Sequence, residues 1–147
     1  MKIMAQNKKA YHEYFVKETY EAGIVLTGTE IKAIRAGKAS IQDAYIKIKD
    51  FEAFIVNMHI AKYEQGNIFN HKELRDRRLL LHKREIRKLQ QKIQLEGLTI
   101  IPLKVYLNDG LAKIEIAVCQ GKKLYDKRQD LKEKDSRRKV EKALKNY

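Results

Sequence analysis

The chemistry open to this chain is that of cations beside aromatic rings. Near its start, Asn7-Lys8-Lys9-Ala10-Tyr11-His12-Glu13-Tyr14-Phe15 sets two lysines and a histidine among three aromatic side chains. Ammonium groups hold phosphate oxygens, and aromatic faces stack on unpaired bases. The same rings also suit packing on a strand face, and the block alone favours neither reading. Patterns for bond-breaking chemistry are missing. The four histidines, His12, His59, His71 and His82, form no HExxH-type helix pair, and the lone Cys119 excludes a multi-cysteine zinc site or an internal disulfide. Cys119 falls in an expected strand, which suits a core thiol. There is no GxxxxGK[ST] phosphate loop, GxGxxG turn or GxSxG elbow. Nothing singles out a catalytic pair among the 19 carboxylates. The expectation is a binding protein that is not an enzyme and uses no cofactor and no metal.

Charge points to the class of partner. The 147 residues carry 32 Lys and Arg against 19 Asp and Glu, a net charge of +13. Such a balance suits a polyanion: RNA, DNA or an anionic membrane. It is also uneven. Asn70 to Leu95 holds 9 basic and 3 acidic residues, and Gly121 to Tyr147 holds 11 and 5, so these two segments carry nearly all of the excess. Clustering of that kind reads as a phosphate-binding footprint. No apolar run approaches the ~20 residues of a membrane span. Met1 to Lys9 has no apolar stretch of the secretory type, so a cytoplasmic setting is expected.

The elements that must position these groups follow from periodicity. Tyr11 to Leu26 reads as extended, with Gly23 at a bulge or bend. Thr27 and Glu30 have capping-box spacing for a short helix, with Ile31 and Ile34 as its apolar stripe and Gly37 as its stop. Ala44 to Lys49 alternates as a strand, Asp50 to Glu52 turns, and Ala53 to Ile60 returns. Ala61 to Arg78 reads as loop. Leu79 to Leu95 reads as the clearest helix, with Ile86, Leu89 and Ile93 on one side and Gly97 at its end. Leu98 to Leu107 reads as a strand with Ile101, Leu103, Val105 and Leu107 on one face, and Pro102 suggests an edge or a bulge. Asn108-Asp109-Gly110 is a hairpin turn, and Leu111 to Val118 returns with Ile114, Ile116 and Val118 inward and Lys113 and Glu115 outward. No βαβ rhythm appears. The expected class is mainly β: a small antiparallel barrel of the oligonucleotide-binding type with flanking helices over 1–120, and a basic tail over 121–147. Pattern alone leaves it one option among several α+β folds. The tail has only Leu124, Leu131, Val140 and Leu144 as large aliphatics, too few for a core, so it is expected to be disordered when free.

Four blocks in order resemble one family. They are Asn7 to Tyr14, the run Glu21-Ala22-Gly23-Ile24-Val25-Leu26-Thr27-Gly28-Thr29-Glu30-Ile31-Lys32, then Arg78-Leu79-Leu80-Leu81-His82-Lys83-Arg84-Glu85-Ile86, and Gly121-Lys122-Lys123-Leu124-Tyr125-Asp126-Lys127-Arg128. Order, spacing and length together are similar to the SsrA-binding (small protein B) family, essentially end to end.

The resemblance implies binding to the tRNA-like domain of transfer-messenger RNA (tmRNA) and delivery of that RNA to stalled ribosomes. There the protein would stand in for the missing anticodon arm, in the decoding centre and mRNA channel of the small subunit. Alanyl-tRNA synthetase and elongation factor Tu would be indirect partners, and no membrane is involved. It implies an RNA surface of Asn7, Lys8, Lys9, His12, Glu21, Leu80, His82, Lys83, Lys113, Lys122 and Lys123. Physically, Glu21 would accept hydrogen bonds from base or 2′-OH groups, or else pair with a nearby lysine. Leu80 lies in a run of three leucines of which two can face the core. Lys113, on the polar face of its strand, is a natural phosphate contact. Lys122 and Lys123 either continue this surface or begin a solvated tail. The resemblance further implies a ribosome-contacting tail of Asp126, Lys127, Arg128, Lys132, Arg137, Lys142, Leu144 and Lys145, helical in the empty mRNA path. Glu133 and Arg137, four apart, give that helix slight support. The sequence departs from the family pattern at Glu73, where proline is common, and at Ser136, where many members carry Trp. A different structured-RNA-binding or ribosomal module is the alternative reading.

Overall fold

The structure, a computed structural model, describes residues 2–63 and 70–121. Lys122, Lys123 and the whole expected tail lie outside the described residues. Within them run β1 (Lys2–Gln6), α1 (Ala10–Glu13), β2 (Tyr14–Ile24), α2 (Gly28–Arg35), β3 (Ala39–Ser40), β4 (Tyr45–Lys49), β5 (Glu52–Val56), β6 (His59–Ile60), β7 (Arg77–Leu80), α3 (Lys83–Glu96), β8 (Thr99–Asn108) and β9 (Leu111–Gly121). Seven strands form one antiparallel sheet in the order β1-β8-β9-β2-β7-β5-β4, and β3 pairs with β6 beside it. The sheet curls until β4 comes back against β8, and Gln90, Ile93 and Gln94 of α3 line a hollow of about 300 Å³ at the seam. The mainly β barrel with flanking helices is therefore present, with more strands than the five of a minimal oligonucleotide-binding barrel.

Alternation puts the core inside the curl. Ala22 and Ile24, Ile46, Ala53 and Ile55, Leu79, Ile100 and Val105, and Ile114, Ile116 and Val118 all point inward, joined by Ile34 from α2 and Leu89 from α3. A second, smaller cluster lies on the outer face, where α1 covers it: Ala10 packs on Ile101, Leu103, Ala117 and Cys119. Alternation lets β8 feed both clusters, Ile100 the inner and Ile101 the outer, and Leu103 joins the outer one as an extra residue, with Pro102 opposite Ile116 and Lys104 opposite Glu115. The bulge expected at Pro102 is thus present. Its consequence corrects the reading of the strand: Ile101 and Leu103 face out toward α1, while Val105 and Leu107 face in.

Local chemistry explains the helices. Thr27 accepts from the Glu30 amide and Glu30 returns the bond to the Thr27 amide, which is the expected capping box. Gly37 then closes α2 in the left-handed region, with its amide on Ile34 and the next on Ala33.

Four expectations change. Tyr11–Glu13 is one helical turn, since Lys9 accepts from the amides of His12 and Glu13 before the chain extends. The irregularity of β2 lies at Lys17, not at Gly23, which keeps its place in the ladder. Ala53–Ile60 breaks at Asn57, whose φ of 65° ends β5, and His59–Ile60 turns away to pair with β3. Leu79–Leu95 is not one helix. Arg77 to Leu80 alternates buried and exposed between β5 and β2, and α3 begins only at Lys83, where the Glu85 carboxylate accepts from the His82 amide at 2.9 Å.

Candidate nucleic-acid interface

Among the described residues the outer sheet face is covered by α1 at one end and by no helix at the other. Register lines up the uncovered end. Across β8, β9, β2 and β7, Tyr106 stands opposite Lys113, Lys113 opposite Gly23, and Gly23 opposite Leu80. One step along, Lys104 stands opposite Glu115 and Glu115 opposite Glu21. Residues paired in register share a face, so these side chains form one surface. Gly23 is the gap in the row: a Cβ there would touch the Leu80 side chain at 3.4 Å.

Glu21 sits at the centre of this surface. Its carboxylate accepts the Tyr106 hydroxyl and the Lys113 ammonium, the latter at 3.4 Å. The Tyr106 hydrogen bond is the main reason the Glu21 carboxyl is held below its ordinary range. Tyr106 in turn is pushed up, first by its own burial and then by Glu21. A carboxylate has about four acceptor positions, so Glu21 retains capacity for an outside donor. Leu80 is 52% exposed, whereas Leu79 is 2% exposed and Leu81 packs partly against the core. The Leu run thus divides as the sequence allowed, two inward and one out.

Beside the row runs a groove of about 680 Å³ that brings together Glu21, Leu80, His82 and Lys83, with Phe51 and Arg78 on its wall. At the α1 end a second hollow is lined by Gln6, Asn7, Lys8, Tyr11, Leu103, Lys104 and Glu115. Lys104 and Glu115 join this hollow to the row at Glu21. Lys9 and His12 are exposed on α1 itself. Asn7 is different from its neighbours. It is only 7% exposed; its amide donates to the Leu103 carbonyl and its side chain donates to Pro102, so it ties α1 to the β8 bulge from below the surface.

Two of the basic residues assigned by clustering to a phosphate footprint turn inward. Arg77 is fully buried and Arg75 half-buried, and both bind the Glu30 carboxylate, at 2.5 and 2.6 Å. Arg77 also donates to the carbonyls of Met58, Lys72 and Glu73. Burial alone would push the Glu30 carboxyl up; hydrogen bonds from Arg75, the Thr27 amide and Arg77 outweigh it and hold it at about 2. His71 is buried next to this cluster, between Thr29 and the Ile60 carbonyl. Glu73, at the departure from the family pattern, accepts from His59 at 2.9 Å. Among the described residues no group of His, Cys, Asp and Glu is arranged to hold a metal, and Cys119 is buried, its thiol pushed up to about 11 by burial.

Comparison with known proteins completes the picture. The model of the family described as SmpB protein matches residues 4–146. The chain belongs to the SmpB family. It is similar to the SsrA-binding protein of Shouchella clausii, 56% identical over 144 residues, covering 98% of this chain and 92% of that one. The SsrA-binding proteins of Acetivibrio thermocellus and Bacillus cytotoxicus are 55% and 54% identical, covering 98% and 99% of this chain and 94% of each relative. Among solved structures it is similar to one described as "tmRNA-SmpB: a journey to the center of the bacterial ribosome", with a TM-score of 0.67 and 45% identity over 80% of this chain and 82% of that one. Within this SmpB chain, sequence reasoning missed Tyr106, Lys104 and Arg78 as parts of the surface, and Glu30, Arg75 and Arg77 as its internal support. The alternation of Val105 and Leu107 puts Lys104 and Tyr106 on the opposite face of the strand, but only the register of β8 on β9 sets Tyr106 beside Lys113.

Proposed function

We propose that this chain binds the tRNA-like domain of tmRNA and delivers it to stalled ribosomes. The observation that carries the reading is the outer sheet face, where Glu21 and Leu80 line one groove with His82 and Lys83, and Lys113 from the strand between binds Glu21 at its edge. Such a surface suits a folded RNA with splayed bases: an apolar side chain for a base face, a carboxylate for 2′-OH or amino donors, and ammonium groups for phosphates. Relatives at 53–56% identity named SsrA-binding protein support the choice of RNA. The chain itself acts as a binder and not as an enzyme. Alanyl-tRNA synthetase and elongation factor Tu act on the same RNA and are indirect partners, and the cytoplasm is the setting.

Lys8, Lys9 and His12 extend the footprint along α1, and Lys122 and Lys123 continue it past β9. The residues from Asp126 onward enter the mRNA channel near the decoding centre, where rRNA phosphates neutralise a helix too basic to form alone. The test separates binding from delivery. Deleting Gln129 to Tyr147 leaves gel-shift affinity for the tRNA-like domain nearly unchanged and abolishes peptide tagging on a stalled message. Normal tagging by the truncated chain sinks the assigned tail role. Equal affinity of the full chain for unrelated structured RNAs sinks the choice of tmRNA.

A further inference from the structure

We propose that Phe51 is a base-stacking residue that extends the RNA surface beyond Leu80. This rests on the RNA-binding reading above. The chain builds the same two-residue hairpin turn twice. Asn108 pairs with Leu111 around Asp109 and Gly110, whose φ values are 53° and 79°. Lys49 pairs with Glu52 around Asp50 and Phe51, at 52° and 62°. Both turns need two consecutive residues in the left-handed region, which is why Asp-Gly is favoured. The first turn has its glycine. The second sets a bulky ring where an L side chain crowds its own backbone. The ring recovers little by burial, since Phe51 is 67% exposed. Local strain of this kind is concentrated at functional sites.

The surroundings of the ring supply the function. A hollow of about 200 Å³ is lined by Phe51, Lys83, Ile86 and Arg87, with no carboxylate among them. Phe51, Lys83 and Ile86 also line the groove that holds Glu21 and Leu80, so the two spaces adjoin, and the carboxylates of Asp50, Glu52 and Glu85 lie on the groove side. Nearby ion pairs take Arg78 to Glu52 and Lys92 to Glu18 and Glu96, while Lys83 and Arg87 line the hollow outside the ion pairs of the described residues. An aromatic face, an aliphatic floor and two cations match one splayed nucleotide: the base lies between Phe51 and Ile86, and its phosphates sit at Lys83 and Arg87.

The chain has no Trp, so Phe51→Trp places a unique fluorophore at the turn. With the full chain and a transcript of the tRNA-like domain, the Phe51→Trp emission is quenched on binding and affinity stays close to that of the parent. Phe51→Gly loses roughly 5- to 150-fold in affinity, the range of one base–aromatic stack. Its thermal midpoint is unchanged or raised, because glycine relieves the turn. Full affinity of Phe51→Gly beside weakened binding by Leu80→Ala overturns the role of Phe51 and leaves the RNA reading standing. A lowered midpoint for Phe51→Gly makes the ring a packing element and also overturns it. Failure of the parent to prefer the transcript over unrelated RNA removes both.

Discussion

Nε of Arg77 lies 2.5 Å from Oε2 of Glu30, and both side chains are fully buried. The pair ties the start of α2 to β7, two elements nearly fifty residues apart in sequence. Every remaining polar group in the cluster has a partner. Arg75 and the Thr27 amide take the other carboxylate oxygen, and three backbone carbonyls take the rest of the Arg77 guanidinium. The cluster thereby fixes β7, whose next outward residues, Arg78 and Leu80, line the groove beside Glu21 and belong to the proposed RNA surface.

Removing one partner leaves the other as an uncompensated buried charge. Arg77→Met is expected to cost about 3–5 kcal/mol in urea unfolding. Arg75→Met costs less, because Arg75 is partly in solvent and Arg77 still holds the carboxylate. A cost for Arg77→Met below that of Arg75→Met contradicts this account.

The same carboxylate makes stability depend on acid. Glu30 is held at about 2 in the fold against its ordinary 4.5. Its contribution is complete above about 4.5 and is lost as the pH falls from 4.5 toward 2. Thermal midpoints across that window should drop in the parent and drop less in Glu30→Gln, which starts less stable. Parallel curves for the two proteins would assign the acid loss to other groups.

Neighbouring leucines should separate stability from binding. Leu79→Ala removes a core side chain and is expected to cost about 2–5 kcal/mol. Leu80→Ala touches mainly solvent and should change stability by no more than about 0.5 kcal/mol, while weakening RNA affinity. Circular dichroism melts and gel shifts on both variants check the pair.

Affinity for the tRNA-like RNA should fall steadily with salt as bound cations release counterions. Lys83, Arg84, Arg87 and Lys88 are the α3 cations outside the ion pairs of the described residues. Replacing Arg87 and Lys88 with Gln should lower the slope by up to about 2 if each meets a phosphate. An unchanged slope would place the RNA elsewhere on the chain.

Sequence alone carried the elements whose signals are local. Thr27 with Glu30, Gly37, Gly97 and Asp109-Gly110 each specify a cap or a turn through their own backbone, and each is where the spacing placed it. The Leu79–Leu81 run misled because three consecutive leucines fit a helix as well as a strand; pairing of β7 between β5 and β2 decides it, and that is a long-range fact. Charge counting found the basic segment but could not distinguish Arg77, folded inward onto Glu30, from Arg78, one residue on and facing out. Leu80 was legible as one of three, and Glu21 and Lys113 were legible through alternation and the family resemblance. Tyr106 was legible only as a residue on the polar face of its strand; that it meets Lys113 and Glu21 is set by the pairing of β8 with β9 and of β9 with β2.

That extra residue, Leu103, has a consequence for how β8 can change over generations. On either side of it the strand follows opposite parities, so Ile101 and Val105 serve different interiors. A point substitution in β8 disturbs one contact. Deleting a single codon at Leu103 would instead leave Pro102 opposite Ile116 and Lys104 opposite Glu115, so every remaining side chain would keep its face and the floor under α1 would lose Leu103 alone. A codon lost elsewhere in β8 would turn one half of the strand over, so the length of each half is held more tightly than its composition, while the bulge itself is a removable insertion.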